Sequence, residues 1–119
     1  MMRLVSKVTV GADEPEKVNQ AFSVAAAAIA AGSQVSVWLT GEATRLAVPG
    51  GADAIRLDHA TPLGELIALV IDQAALTVCS QCAARRGLEY EDLLAGVRIA
   101  GAATFAEEAL TEGTQALVY

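Results

Sequence analysis

Leu76-Thr77-Val78-Cys79-Ser80-Gln81-Cys82-Ala83-Ala84-Arg85-Arg86-Gly87 reads as a short buried strand running straight into a helix. Leu76, Thr77 and Val78 are apolar or β-branched, as in a strand covered on both faces. Ser80 is expected to cap the helix, and Ala83, Ala84, Arg85 and Arg86 are good helix formers. Gly87 supplies the left-handed position that commonly closes a helix. Cys79 falls at the junction, where unsatisfied backbone N–H groups and the helix dipole favour thiolate. This marks a reactive position.

The elements on either side alternate strand and helix. Residues 4–10 read as a first strand, and Gly11 and Ala12 as a tight turn. Asp13 with Glu16 forms a capping-box-like start, with Pro15 in the first turn. The following helix carries Val18, Ala21, Phe22, Ala25, Ala28 and Ile29 at helical spacing and ends at Gly32. Residues 34–39 form a second strand, and Thr40-Gly41 a turn that opens a short helix through residues 42–47. Residues 48–62, with Pro49, Gly50, Gly51 and Pro62, read as an irregular excursion and a candidate lid or binding loop. Residues 63–73 are helical, with Leu66, Ile67, Val70 and Ile71 on one stripe. Beyond Gly87 come a short helix at 89–94, a strand at 97–100, a helix at 104–110 and a strand at 115–119.

This alternation predicts an α/β fold with a mainly parallel five-stranded sheet, helices on both faces and right-handed crossovers. Reactive groups in such folds gather at the carboxyl ends of the strands. The turns expected there hold Gly11, Thr40 and Gly41, Cys79 with Ser80, Gln81 and Cys82, and Gly101. They are expected to converge on one shallow site containing Cys79.

The chain has 119 residues, enough for one domain (1–119) with one core. Its apolar fraction of 54% is high and largely alanine, so helices should pack closely. Five aromatics, Phe22, Trp38, Tyr90, Phe105 and Tyr119, are each expected to anchor packing. Surplus apolar surface on a small domain points to a homo-oligomer. The net charge of −6 argues against non-specific nucleic-acid or anionic-membrane binding. The alanine-rich run from Ala21 to Ala31 is well short of the ~20 residues needed to span a bilayer. With no export signal visible, the cytoplasm is the expected compartment, where two cysteines stay reduced unless they do redox or sulfur chemistry.

Several residues carry competing readings. Cys82, three residues after Cys79, lies on the same face of the first turn and within reach of a disulfide. It is either a resolving thiol or a small buried hydrophobe. Arg85 and Arg86 either dock an acidic partner or form a solvated helix end paired with Glu89 or Glu91. They are expected to sit too far along the helix to reach the Cys79 thiolate. His59 is either an exposed loop histidine or a group that gates Cys79. Two cysteines and one histidine are too few for a closed zinc site, so no metal is expected. The turn glycines lack a phosphate-binding fingerprint, and no cofactor is expected.

Cys79 followed by Arg85-Arg86-Gly87-Leu88, then Leu94-Ala95-Gly96-Val97-Arg98-Ile99-Ala100-Gly101 and Leu110, resembles the DsrE/TusD family of small sulfur-relay proteins. The alanine-rich first helix ending at Gly32 and the strand reaching Thr40-Gly41 also fit. The resemblance implies a three-layer α/β/α domain, flavodoxin-like in outline, that assembles into trimers or hexamers. It further implies a sulfur carrier that accepts sulfane sulfur as a persulfide on Cys79 and passes it from a donor protein to an acceptor protein. Cys82 departs from the TusD-type pattern, which usually has alanine there. Two other classes stand beside this one. C-x-x-C after a strand also looks like a thiol-disulfide oxidoreductase, although no proline follows it. A non-catalytic oligomeric scaffold or ligand binder of the same fold is the third.

Overall fold

Strands that each hand over to a helix must return in parallel, and the computed structural model, which describes residues 2–119, has this arrangement. Its elements are β1 (Arg3–Val8), α1 (Pro15–Ala30), β2 (Gln34–Leu39), a 3₁₀ segment (Gly41–Ala47) and α2 (Leu63–Gln73). They continue with β3 (Ala75–Cys79), α3 (Ser80–Arg85), a 3₁₀ turn (Tyr90–Asp92), β4 (Arg98–Ala100), α4 (Ala102–Leu110) and β5 (Thr114–Val118). The sheet is parallel in the order β4-β3-β2-β1-β5. From β1 to β4 the chain steps one strand at a time in one direction, so right-handed crossovers put α1, α2 and α3 on one face. From β4 it crosses back to the far side of β1, which puts α4 on the other.

The two faces follow from the period of two along each strand. Val8, Val35, Val37, Leu39, Leu76 and Val78 point under α1 and α2, where they meet Val18, Phe22, Leu66, Ile67 and Val70 in one apolar cluster. The opposite set includes Val5, Lys7, Ser36, Trp38, Thr77 and Arg98, aligned by register across four strands. There α4 lays Phe105 edge-on to Trp38, with ring centroids 5.5 Å apart. The Lys7 ammonium sits 4.0 Å from the centre of the Phe105 ring. α4 also lowers Glu108 into this face.

Glu108 is only 8% exposed. Its carboxylate accepts hydrogen bonds from Ser36 Oγ at 2.6 Å, Trp38 Nε1 at 3.2 Å and an Arg98 terminal nitrogen at 3.1 Å. Arg3 approaches at 3.3 Å to complete an ion-pair cluster. Burial opposes ionisation here, but these donors outweigh it and hold the carboxyl below its usual range.

Several local expectations change. Asp13 does not cap α1: its carboxylate accepts the Gly11 N–H at 3.0 Å, closing the turn, and Glu14 occupies the cap position without a side-chain bond. Residues 41–47 and 90–92 are 3₁₀ rather than α-helical. Tyr90 is 63% exposed and anchors no packing. Residues 48–62 form a chain of tight turns, with the amides of Gly51, Asp53 and Ile55 each bonded three residues back. Buried Ile55 pins the excursion to the core. No helix among the described residues is long and apolar enough to cross a membrane.

Candidate functional site

The last residue of β3 is Cys79, whose extended backbone makes it the N-cap of α3. Ser80, expected to be that cap, is instead the first helical residue. α3 is short because Gly87 adopts φ +64°. The Leu88 amide bonds to the Ala83 carbonyl at 2.9 Å and the Gly87 amide to the Ala84 carbonyl at 3.1 Å, the double closure of a Schellman motif. Ala83 faces the core, so its neighbours in the turn face outward. Cys79 and Cys82 are both free thiols and partly exposed, while Ser80 and Gln81 are exposed.

The strand ends converge here as the topology requires. Gly41 follows β2 with φ +54°, and a side chain there would sit 2.9 Å from the Thr9 carbonyl, so the turn demands glycine. Thr40 ties that turn to β1 by bonding to the Val8 carbonyl through its backbone N–H at 2.9 Å. A Cβ on Gly11 would meet the Glu42 carbonyl at 2.9 Å, so the first and second turns are in contact. Gly101 lies against the Ser80 hydroxyl.

This packing brings the Gly41 N–H and the Cys79 thiol close to the sulfur of Cys82. Partial burial works against a thiolate at Cys82. These two groups, with the charges of Arg85 and Arg86, outweigh that penalty and hold the thiol below its ordinary value. The charges of both arginines therefore reach a thiol of this turn, that of Cys82.

Arg86 has a partner that local spacing could not suggest. Its Nε donates to Glu42 Oε2 at 2.8 Å and a terminal nitrogen donates to the Cys82 carbonyl at 3.2 Å. Glu42, not Glu89 or Glu91, is the acid that it meets; Glu89 and Asp92 close a capping box of their own. Arg45 donates to the other oxygen of Glu42 at 3.2 Å. The Arg86 guanidinium, then that of Arg45, lowers the Glu42 carboxyl below its usual range. Arg86 thus clamps α3 to the segment after β2, and Arg85 stays exposed.

His59, at φ +58°, lines a cavity of about 370 Å³ with Glu16, Asn19 and Gln20 of α1, and no residue of the cysteine turn shares it. Two larger grooves flank residues 48–62. One of about 520 Å³ runs between Asn19 and the start of α2, and one of about 590 Å³ is lined by Leu46, Val48, Ile67, Ile71 and Leu94. Neither includes a thiol. Among the described residues, no three His, Cys, Asp or Glu side chains cluster where a metal ion could be held.

A family model described as DsrE/DsrF-like matches residues 2–118. No curated protein matches the sequence. Among solved structures, the YchN protein of E. coli superposes with a TM-score of 0.75 at 14% identity, with both chains covered over 100%. MTH1491 of Methanobacterium thermoautotrophicum, titled a protein of unknown function, superposes at 0.65 with 19% identity and the same full coverage of both. At these identities the likeness is one of fold.

Proposed function

The chain belongs to the DsrE/DsrF-like family, and from that premise we propose that it is a sulfur carrier, holding sulfane sulfur as a persulfide on Cys79 and passing it to a partner. The observation that supports this most is the pair of neighbouring, partly exposed thiols at the turn where the strand ends meet. In loading, the Cys79 thiolate attacks the outer sulfur of a donor persulfide and the donor leaves as its thiol. A second thiol on the acceptor then removes that sulfur from Cys79. Such exchanges need a thiolate, a good leaving group and access, and the site is built for access. Donor and acceptor are proteins in this reading. Copies of the chain assemble through apolar surface such as Leu110 and Val118, both strongly exposed.

Incubation with a sulfurtransferase and a sulfane donor, followed by intact mass and peptide mapping, tests the reading. The expected result is one added sulfur, lost in Cys79→Ser. A chain that gains none, in the wild type and in Cys82→Ala alike, is not a carrier.

The two grooves beside residues 48–62 favour a second reading, a ligand-binding protein in which the thiols are incidental. Iodoacetamide labelling at neutral pH separates the two. Thiols that react no faster than a free model thiol support the binder.

A further inference from the structure

The carrier reading uses Cys79 and leaves Cys82 without a task, although the surrounding residues are directed at Cys82. Gly41, held by its turn in a conformation only glycine adopts easily, presents its N–H to the Cys82 sulfur. Arg86, anchored on Glu42, grips the Cys82 carbonyl and fixes the second half of the turn. The Cys79 thiol lies beside the Cys82 sulfur in the same turn, and both side chains are partly exposed.

We propose that Cys82 is a resolving nucleophile that discharges the Cys79 persulfide as hydrosulfide, which gives the chain a second activity, the reduction of bound sulfane sulfur. The proposal rests on the carrier reading. The Cys79 sulfur is the thiol atom beside Cys82, and in a Cys79 persulfide that atom is the inner one. Attack there forms the Cys79–Cys82 disulfide and breaks the bond to the outer sulfur, which leaves as HS⁻ with its own proton and the bonding electron pair. The sulfane sulfur gains two electrons, and the two cysteine sulfurs lose one each. Residues three apart in a helical turn lie about 5–6 Å apart at Cβ, so modest adjustment of the turn brings them to disulfide geometry. The Gly41 N–H and the charges of Arg85 and Arg86 favour the thiolate at Cys82 against its partial burial, which raises the fraction available for attack. An external dithiol then reopens the disulfide for another round, but the first release needs none.

The full chain, reduced and freed of thiol under anaerobic conditions, is given inorganic polysulfide and followed by intact mass and by sulfide release above a buffer blank. The wild type is expected to pass through a form one sulfur heavier. It then settles two hydrogens lighter than the reduced chain, with one sulfide released per chain. Cys82→Ala and Cys82→Ser are expected to stop at the heavier form, with the persulfide lifetime extended about tenfold or more. Equal persulfide lifetimes in the wild type and both variants overturn the resolving role and leave the carrier intact. Variants and wild type that take up no sulfur overturn both.

Discussion

The two faces of the sheet bury different chemistry, although the same strands supply both. Beneath α1, α2 and α3, valines, leucines and Phe22 meet in a contact without direction, so burial alone stabilises it. Beneath α4 a carboxylate is held by a serine, a tryptophan and two arginines, each with one acceptable geometry. The first face tolerates any arrangement that fills space. The second sets the position of α4, since displacing that helix would leave Glu108 buried and unpaired. The thiol turn combines both: Ala83 roots it in the apolar face, and the Arg86 hydrogen bond to the Cys82 carbonyl orients its outer side.

The contrast is sharpest in how each region breaks. Phe22→Ala should leave a cavity in the apolar face and cost about 4 kcal/mol, read as a lower urea midpoint with an unchanged denaturant slope. A loss near 1 kcal/mol would show that this face can collapse around a void. Glu108→Ala should cost about 2–3 kcal/mol, because Ser36, Trp38 and the arginines lose their acceptor.

The Glu108 variant also carries a pH signature. The Glu108 carboxyl titrates below its ordinary value of 4.5 in the folded chain, since its donors outweigh its burial. The stability it supplies is therefore present above that ordinary value and lost as the pH falls through the lower folded one. Urea midpoints measured from pH 6 down to 3 should fall more steeply in the wild type than in Glu108→Ala. Parallel curves would remove Glu108 from the acid response.

Arg86→Lys gives the smallest expected effect on stability. The pair with Glu42 is partly solvated, so folding should change by about 0.5 kcal/mol or less. Lysine cannot span Glu42 and the Cys82 carbonyl with a fork, so alkylation of Cys82 at neutral pH should nevertheless slow. An unchanged alkylation rate would confine Arg86 to a surface ion pair.

Local pattern carried much of the fold. The bounds expected for the second strand and for the helix at 63–73 coincide with β2 and α2, because alternation and a helical stripe are properties of neighbouring residues. Gly87 closes its helix as read, because only glycine adopts that backbone conformation cheaply. Cys79 at a strand end was legible for the same reason. Ser80 failed as a cap because β3 runs one residue further than the cap reading assumed, and its hydroxyl instead lies against the Gly101 turn.

The amino-acid order alone determined the alternation of strands and helices, the turn glycines and the position of a thiol at the end of the third strand. Tertiary structure decided which groups surround that thiol's neighbour. Glu42 and Arg86 lie 44 positions apart, and Glu108 stands 72 from Ser36, so neither pairing leaves a periodic trace. Glutamate on a short helix reads as solvated until a strand order places tryptophan, serine and arginine beneath it. Secondary structure is written by residues within a few positions of one another, whereas the charge state of a thiol or carboxylate depends on groups that only folding brings near.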